Sequence, residues 1–271
     1  MSGYPPEDLL LHKGMQKRVI EALEVVRRDV MGITLCLGYP EYEDKNLFNS
    51  GIVLRDGQVL ANHRKWILPN YAVFDEKRYF EAGTDSTVVE LSGIHFALTI
   101  CEDAWEPEPC HAAADAGAEI LLVINGSPYH MHKQSMRETM LGDRAREIGL
   151  PLVYVNMVGG QDELVFDGGS VAIDAEGRTS MRAPAFEEGI YLVEVERRSS
   201  DICLREQELA PVLNTEEAVY KALVLGTRDY VNKNGFKSVV LGLSGGVDSA
   251  LTLCVAVDAL GADRVRTVMM P

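Results

Sequence analysis

An apolar run, Val239-Val240-Leu241-Gly242-Leu243, leads directly into Ser244-Gly245-Gly246-Val247-Asp248-Ser249, and a second apolar run, Ala250-Leu251-Thr252-Leu253, follows. A strand, a glycine-rich turn and a helix start in succession leave few folding options. The strand needs a sheet around it, and the helix must fold back over that sheet. The turn N–H groups and the helix N-terminus then converge, which favours a bound anion such as a phosphate. Two glycines allow close backbone approach, and Ser244 and Ser249 add hydroxyl donors. Sequence for only about one more helix and one strand follows before Pro271, so the turn reads as the opening of a domain.

Upstream, helical and strand patterns alternate. Residues 8–28 repeat apolar side chains at helical spacing through Leu10, Met15, Val19, Ala22 and Val25. A strand is expected over 32–38. Phe48 to Leu54, an Asp56-Gly57 turn and Val59 onward read as a hairpin. Residues 88–100 give two strands joined at Ser92-Gly93, then a short helix over 109–117, a buried strand over 120–125, a helix over 132–148 and a strand over 152–156. Strands are also expected over 169–173 and 190–195, around a turn at Glu176-Gly177. Residues 197–214 lose periodicity and read as a linker. A helix begins near Thr215, with Thr215-Glu216-Glu217 as cap and acidic first turn, and stops at Asn234-Gly235. Helices mixed with hairpins favour a layered α/β fold over a purely parallel sheet.

A net charge of −15 over 271 residues argues against nucleic acid or an anionic membrane as partner. No apolar run reaches the roughly 20 residues of a membrane span, and residues 1–6 lack the features of a signal peptide. The five cysteines show neither a C-x-x-C pair nor His/Cys metal spacing, so no metal site is expected, and a reduced, cytoplasmic protein is.

Two residues suggest chemistry. Cys101 ends the apolar strand 96–100 where the chain turns polar, at Glu102 and Asp103, which suits an exposed nucleophile. Structural packing remains the competing role for a cysteine at a strand end. Lys65 lies in His63-Arg64-Lys65-Trp66-Ile67-Leu68-Pro69, where the apolar neighbours favour burial over a solvated charge.

Cys101-Glu102-Asp103-x-Trp105, Lys65 and Asn125-Gly126-Ser127-Pro128-Tyr129 together resemble the nitrilase (carbon–nitrogen hydrolase) superfamily. Residues 3–9, 68–71, 74–80 and 159–164 narrow the resemblance to the glutaminase half of the glutamine-dependent NAD synthetases, and 244–249 resembles that family's ATP-pyrophosphatase (PP-loop) half. The fold implied is a nitrilase-like α-β-β-α sandwich, followed by the first β-loop-α-β of a Rossmann-like ATP-pyrophosphatase domain. The implied division is a hydrolase domain over 1–197, a linker over 198–214 and the start of a synthetase domain over 215–271. By this resemblance Cys101 is the nucleophile and Lys65 stabilises the oxyanion. Tyr71, Ser127 and Lys133 contact glutamine, and Glu76 and Glu102 are supporting carboxylates. Gly242, Leu243, Ser244, Gly245, Gly246, Val247, Asp248 and Ser249 would hold ATP with its Mg²⁺. Asp248 would orient the metal or a hydroxyl, or cap the following helix.

The resemblance further implies glutamine, deamido-NAD and ATP as substrates, and a homo-oligomer. The family's general-base glutamate sits on a strand end ahead of the stretch matched by residues 3–6, so the first strands of the sandwich and the base are expected to precede Met1. The chain as given is then expected to be inactive. A stand-alone amidase would not need the phosphate turn. GMP- or asparagine-synthetase-like amidotransferases would carry a Gly-x-Cys-x-Gly elbow or an N-terminal cysteine, and this sequence has neither.

Overall fold

A computed structural model describes residues 2–199 and 201–270; the positions of Met1 and Pro271 discussed above lie outside them. The chain opens with a 3-10 turn, Glu7–Leu11, and the helix α1, Lys13–Asp29. The antiparallel strands β1 (Thr34–Glu43), β2 (Asn46–Arg55) and β3 (Gln58–Arg64) follow as a three-stranded sheet. Asp56 and Gly57 both have positive φ, 49° and 76°, as a two-residue hairpin turn requires. Arg27 Nε of α1 donates to the Gly57 carbonyl at 3.0 Å, which lays the helix along this sheet. Val25 is exposed, so α1 is buried through Val19 and not along the whole stripe expected from spacing.

The second sheet contains β4 (Thr87–Leu91), β5 (Ile94–Ile100), β6 (Ile120–Asn125), β7 (Leu152–Asn156), β10 (Val171–Ile173) and β11 (Thr179–Arg182), in the order β11-β10-β7-β6-β5-β4. Between them run β8 (Val158–Gln161) and β9 (Leu164–Asp167), a separate hairpin that sequence patterning did not reveal. The strands β5, β6 and β7 are parallel, in a register that pairs Ile100 with Ile124 and Asn125 with Asn156. Their carboxyl ends therefore lie side by side, the usual place for a site in such a sheet. Crossovers between parallel strands need helices, and α2 (Pro107–Asp115) and α3 (Lys133–Ile148) supply them. They cover one sheet face through a core of Leu121, Val123, Leu141, Ala145, Leu152 and Tyr154.

The three-stranded sheet packs on the opposite face. A Cβ added at Gly51 would meet the Leu98 side chain at 2.8 Å, so the two sheets pack closely there. Helix, sheet, sheet and helix thus stack as the α-β-β-α sandwich expected from sequence.

Three expectations change. Residues 190–194 are irregular, and the hairpin turning at Glu176-Gly177 joins β10 to β11 instead. The segment expected as a linker begins with an ordered hairpin of β12 (Val195–Arg198) and β13 (Asp201–Leu204). Ile202 and Leu204 are buried, and Arg197 pairs with Glu119 at 2.7 Å, so charge here conceals a docked element. The helix α4 (Thr215–Lys233) is capped by Asn214, whose side chain accepts from Glu217 N at 2.9 Å; Thr215 is its first residue.

The remaining unit is β14 (Val239–Leu243), α5 (Val247–Leu260) and β15 (Val265–Met269), with β14 and β15 parallel. A small core of Val231, Ala259 and Leu260 joins α4 to α5. On its other side α4 meets β8: Asp229 Oδ2 accepts from Gly160 N at 2.8 Å and Lys233 Nζ donates to Gly160 O at 2.6 Å.

Candidate active site

The chain leaves β5 at Cys101 with φ 48°, a left-handed conformation costly for a side chain that is not glycine. Such strain, about 1–3 kcal/mol, persists only where surrounding contacts impose it. The 3-10 turn Cys101–Ala104 that follows is pinned from α3 by Arg144, which donates to the Trp105 carbonyl at 3.0 Å. Cys101 and Lys65 line one cavity of about 280 Å³ with Tyr4, Asn49, Asn125 and Gly126. The sheet-to-sheet packing creates this meeting, since Lys65 follows β3 in one sheet and Cys101 follows β5 in the other.

Lys65 is 1 % exposed and its Nζ lies 2.7 Å from Glu76 Oε2. Burial favours the neutral amine, but Glu76, Cys101 and Asp103 outweigh it, and the lysine pKa is raised on balance. The other Glu76 oxygen, Oε1, accepts from Tyr4 OH at 2.8 Å and Asn49 Nδ2 at 2.9 Å. With three donors on its two oxygens, Glu76 serves as counter-ion to Lys65. Burial first, and Glu76 next, push the Tyr4 phenol far up, so it remains a donor. For Cys101, burial lifts the thiol to about 11; Lys65 pulls it down, while Glu76, Glu102 and Asp103 raise it. Cys101 is therefore a thiol below that pH.

The other expected residues surround this cavity without lining it. Tyr71 is exposed and its OH donates to Glu102 Oε1 at 2.7 Å. Lys133 lies with Nζ 4.3 Å from the Trp105 ring centre, and burial, then Arg137, lower its pKa. Ser127 is buried: its N–H donates to Asn156 Oδ1 at 2.9 Å, and its hydroxyl accepts from Arg137 Nε at 3.3 Å. Arg137 is fully buried and forms paired 2.8 Å hydrogen bonds with the Asp167 carboxylate. Spacing did not disclose Tyr4, Asn49, Arg137 or Asp167, although Tyr4 stands in the matched 3–9 stretch.

In the second site, β14 ends in an open turn. Gly245 has φ 83°, which glycine tolerates. Ser249 Oγ donates to Gly246 O at 2.9 Å and Ser244 Oγ to Ser249 Oγ at 3.3 Å, gathering both hydroxyls at the helix start. Gly246 is the N-cap of α5, so Asp248 lies inside the first turn and does not cap it. A sequence of open turn, paired hydroxyls and helix N-terminus fits a phosphate chain.

The carbon–nitrogen hydrolase family model matches residues 28–201, and the NAD synthase model matches 219–271. The chain belongs to the carbon–nitrogen hydrolase family. Among curated relatives of this carbon–nitrogen hydrolase, the glutamine-dependent NAD(+) synthetase of Xylella fastidiosa is 44% identical over 100% of the chain and 50% of its own length. The glutamine-dependent NAD+ synthetase of Acinetobacter baumannii, solved with ADP, superposes with a TM-score of 0.93 at 44% identity. That match covers 99% of this chain and 51% of the other. A nitrilase-superfamily amidase from Nesterenkonia superposes at 0.61 with 29% identity, covering 67% of this chain and 69% of its own. The chain spans about half the length of the curated relatives it matches. Among the described residues no helix is long and apolar enough to cross a membrane.

Proposed function

We propose that this chain carries the glutamine-hydrolysing site and the first phosphate-binding turn of a glutamine-dependent NAD(+) synthetase. The observation that carries the reading is the buried Lys65–Glu76 ion pair beside Cys101, on a chain that continues into the turn 244–249. The proposed division is a hydrolase body over 1–197, a connection over 198–214 and synthetase residues over 215–271. Support comes from the separate matches of the two family models.

Cys101 sulfur, once deprotonated, attacks the side-chain carboxamide carbon of glutamine. The carbonyl π-electrons move to oxygen, and the Lys65 ammonium, held charged by Glu76, stabilises that oxyanion. Collapse expels the amide nitrogen, which leaves as ammonia after taking up a proton, and forms a glutamyl thioester. Water then attacks the thioester, releasing glutamate and restoring the thiol. Glu76, Glu102 and Asp103 each accept hydrogen bonds from donors of this chain, and none of them is assigned as the proton acceptor. Tyr71, Ser127 and Lys133 are the proposed contacts for glutamine. In a mutant of the Nesterenkonia amidase the acetamide moiety of fluoroacetamide is covalently added at the active-site cysteine, which supports reading Cys101 as a nucleophile.

The ammonia produced would amidate deamido-NAD activated by ATP, giving NAD, AMP and pyrophosphate. Residues 242–249 would hold the ATP phosphates, with Mg²⁺ accompanying the nucleotide as part of the substrate. A homo-oligomer in the cytoplasm completes the proposal. The test is NAD formation from deamido-NAD and ATP by the protein at the length of its relatives. Glutamine should support synthesis, and Cys101→Ala should abolish that support while free ammonia still works. A variant that still used glutamine would overturn the assignment.

A further inference from the structure

Asp103 is fully buried, two residues beyond Cys101. Its Oδ1 accepts from Trp66 N at 3.0 Å and Ile67 N at 2.9 Å, the two residues after Lys65. Its Oδ2 accepts from Ile100 N at 3.0 Å, the residue before Cys101, and lies 3.3 Å from His63 Nε2. One carboxylate thus fixes the chain beside Lys65, which follows a strand of one sheet, and beside Cys101, which follows a strand of the other. Among the described residues no main-chain ladder does this, because β3 pairs with β2 and β5 pairs with β4 and β6.

We propose that Asp103 is the positioning residue that sets the Lys65–Cys101 pair, by tying the backbone next to each of them to a single buried carboxylate. This rests on the reading of Cys101 as nucleophile and adds what places it. The same bonds hold Cys101 in its left-handed conformation: the cap on Ile100 N closes the turn, and the bonds to Trp66 and Ile67 anchor the turn against the other sheet. A carboxylate suits the position because every main-chain partner is a donor. An amide has one acceptor oxygen, so its NH₂ would oppose either Ile100 N–H or the Trp66 and Ile67 N–H groups.

The experiment follows the alkylation rate of Cys101 by iodoacetamide against pH, resolved by peptide mass spectrometry, in the unaltered chain and in Asp103→Asn. Lys65 is the strongest charge acting on the thiol and pulls its pKa down, whereas Asp103 is a weaker influence upward. Loss of positioning removes the Lys65 pull, so alkylation below pH 11 should slow, about tenfold for each unit of rise. Loss of the charge alone would speed it. The slowing should vanish in a Lys65→Met background, where there is no pull left to lose. Buried Cys110 reports the fold and should stay protected. Should Asp103→Asn unfold, Asp103→Ser decides: its hydroxyl can still cap Ile100 but cannot reach Trp66 and Ile67, and the same slowing is expected. Faster or unchanged alkylation overturns the proposal. Unfolding of both variants overturns it too, since the carboxylate would then support the core and not the pair. Failure of a glutamine-derived electrophile to label unaltered Cys101 would count against glutamine as substrate and leave the thiol titration readable.

Discussion

Lys65 and Glu76 form a buried ion pair, to which the proposed mechanism gives a functional role. Taking both charges out of water costs several kcal/mol, and the contact repays it only because Tyr4 and Asn49 fill the second oxygen of Glu76. Glu76→Gln would leave Lys65 without its counter-ion and favour the neutral amine. Thioester formation, measured in the protein at the length of its relatives, should fall by about 10²–10³ as the oxyanion loses its cation. Cys101 gives a pH prediction with a definite sign. Its folded pKa of about 11 exceeds the ordinary thiol value, so the buried neutral thiol stabilises the fold below pH 9. That contribution is lost as pH rises from 9 through 11. Denaturant midpoints should show a decline over that range which is smaller in Cys101→Ala. Arg137 makes a third case. Its carboxylate partner is buried with it, so Asp167→Asn should cost about 3–5 kcal/mol by leaving an uncompensated guanidinium. Chemical denaturation measures that directly.

Among elements, two turns announced their hairpins fully, whereas the Glu176-Gly177 turn left its second strand misplaced at 190–195 instead of at β11. Asp56-Gly57 and Ser92-Gly93 both adopt the positive φ values that such pairs favour. The β8–β9 hairpin escaped notice because Val158-Gly159-Gly160-Gln161 has no apolar alternation. Its stability comes from α4, through Asp229 and Lys233 on Gly160 and a cluster including Val158, Val165, Ala222 and Leu225. β12 and β13 escaped for the opposite reason: their charged residues mask a buried Ile202 and Leu204. The helix α4 is set by a local signal, and Asn214→Ala should cost about 1 kcal/mol through loss of the bond to Glu217 N. The pair β14–β15 is the weak element. Parallel strands are normally covered on both faces, yet Val240, Val268 and Met269 are each more than half exposed. Their amides should exchange with solvent faster than those of β5, β6 and β7. Equal protection would refute this ranking of local stability.

At the level of the whole molecule, the sandwich and the unit of β14, α5 and β15 are joined through α4, which lies on β8. Gln161, next to the clamped Gly160, also donates to the Pro5 carbonyl at 3.0 Å, near the cavity that Tyr4 lines. Asp229→Ala removes the acceptor for Gly160 N and should cost about 1–3 kcal/mol. Loss of the contact should appear as earlier melting of residues 215–270, with the sandwich unchanged. The sequence by itself determined what local physics controls: helix periods, two-residue turns and the strand–turn–helix around Ser244. Its motifs also singled out Cys101 and Lys65, and the resemblance added Glu76 as a supporting carboxylate, because a thiol, a cation and a carboxylate are residue types whose chemistry is fixed before folding. Only the tertiary structure decided how they combine. Lys65 and Cys101 follow strands of different sheets, and they meet because those sheets pack face to face, closely at Gly51 and Leu98. Glu76 becomes a counter-ion through Tyr4 and Asn49, and Asp103 becomes a clamp through Trp66, Ile67 and Ile100. Apart from the local bond between Asp103 and Ile100, these contacts join segments far apart in the chain, and burial between layers, with no local pattern to announce it, brings them together.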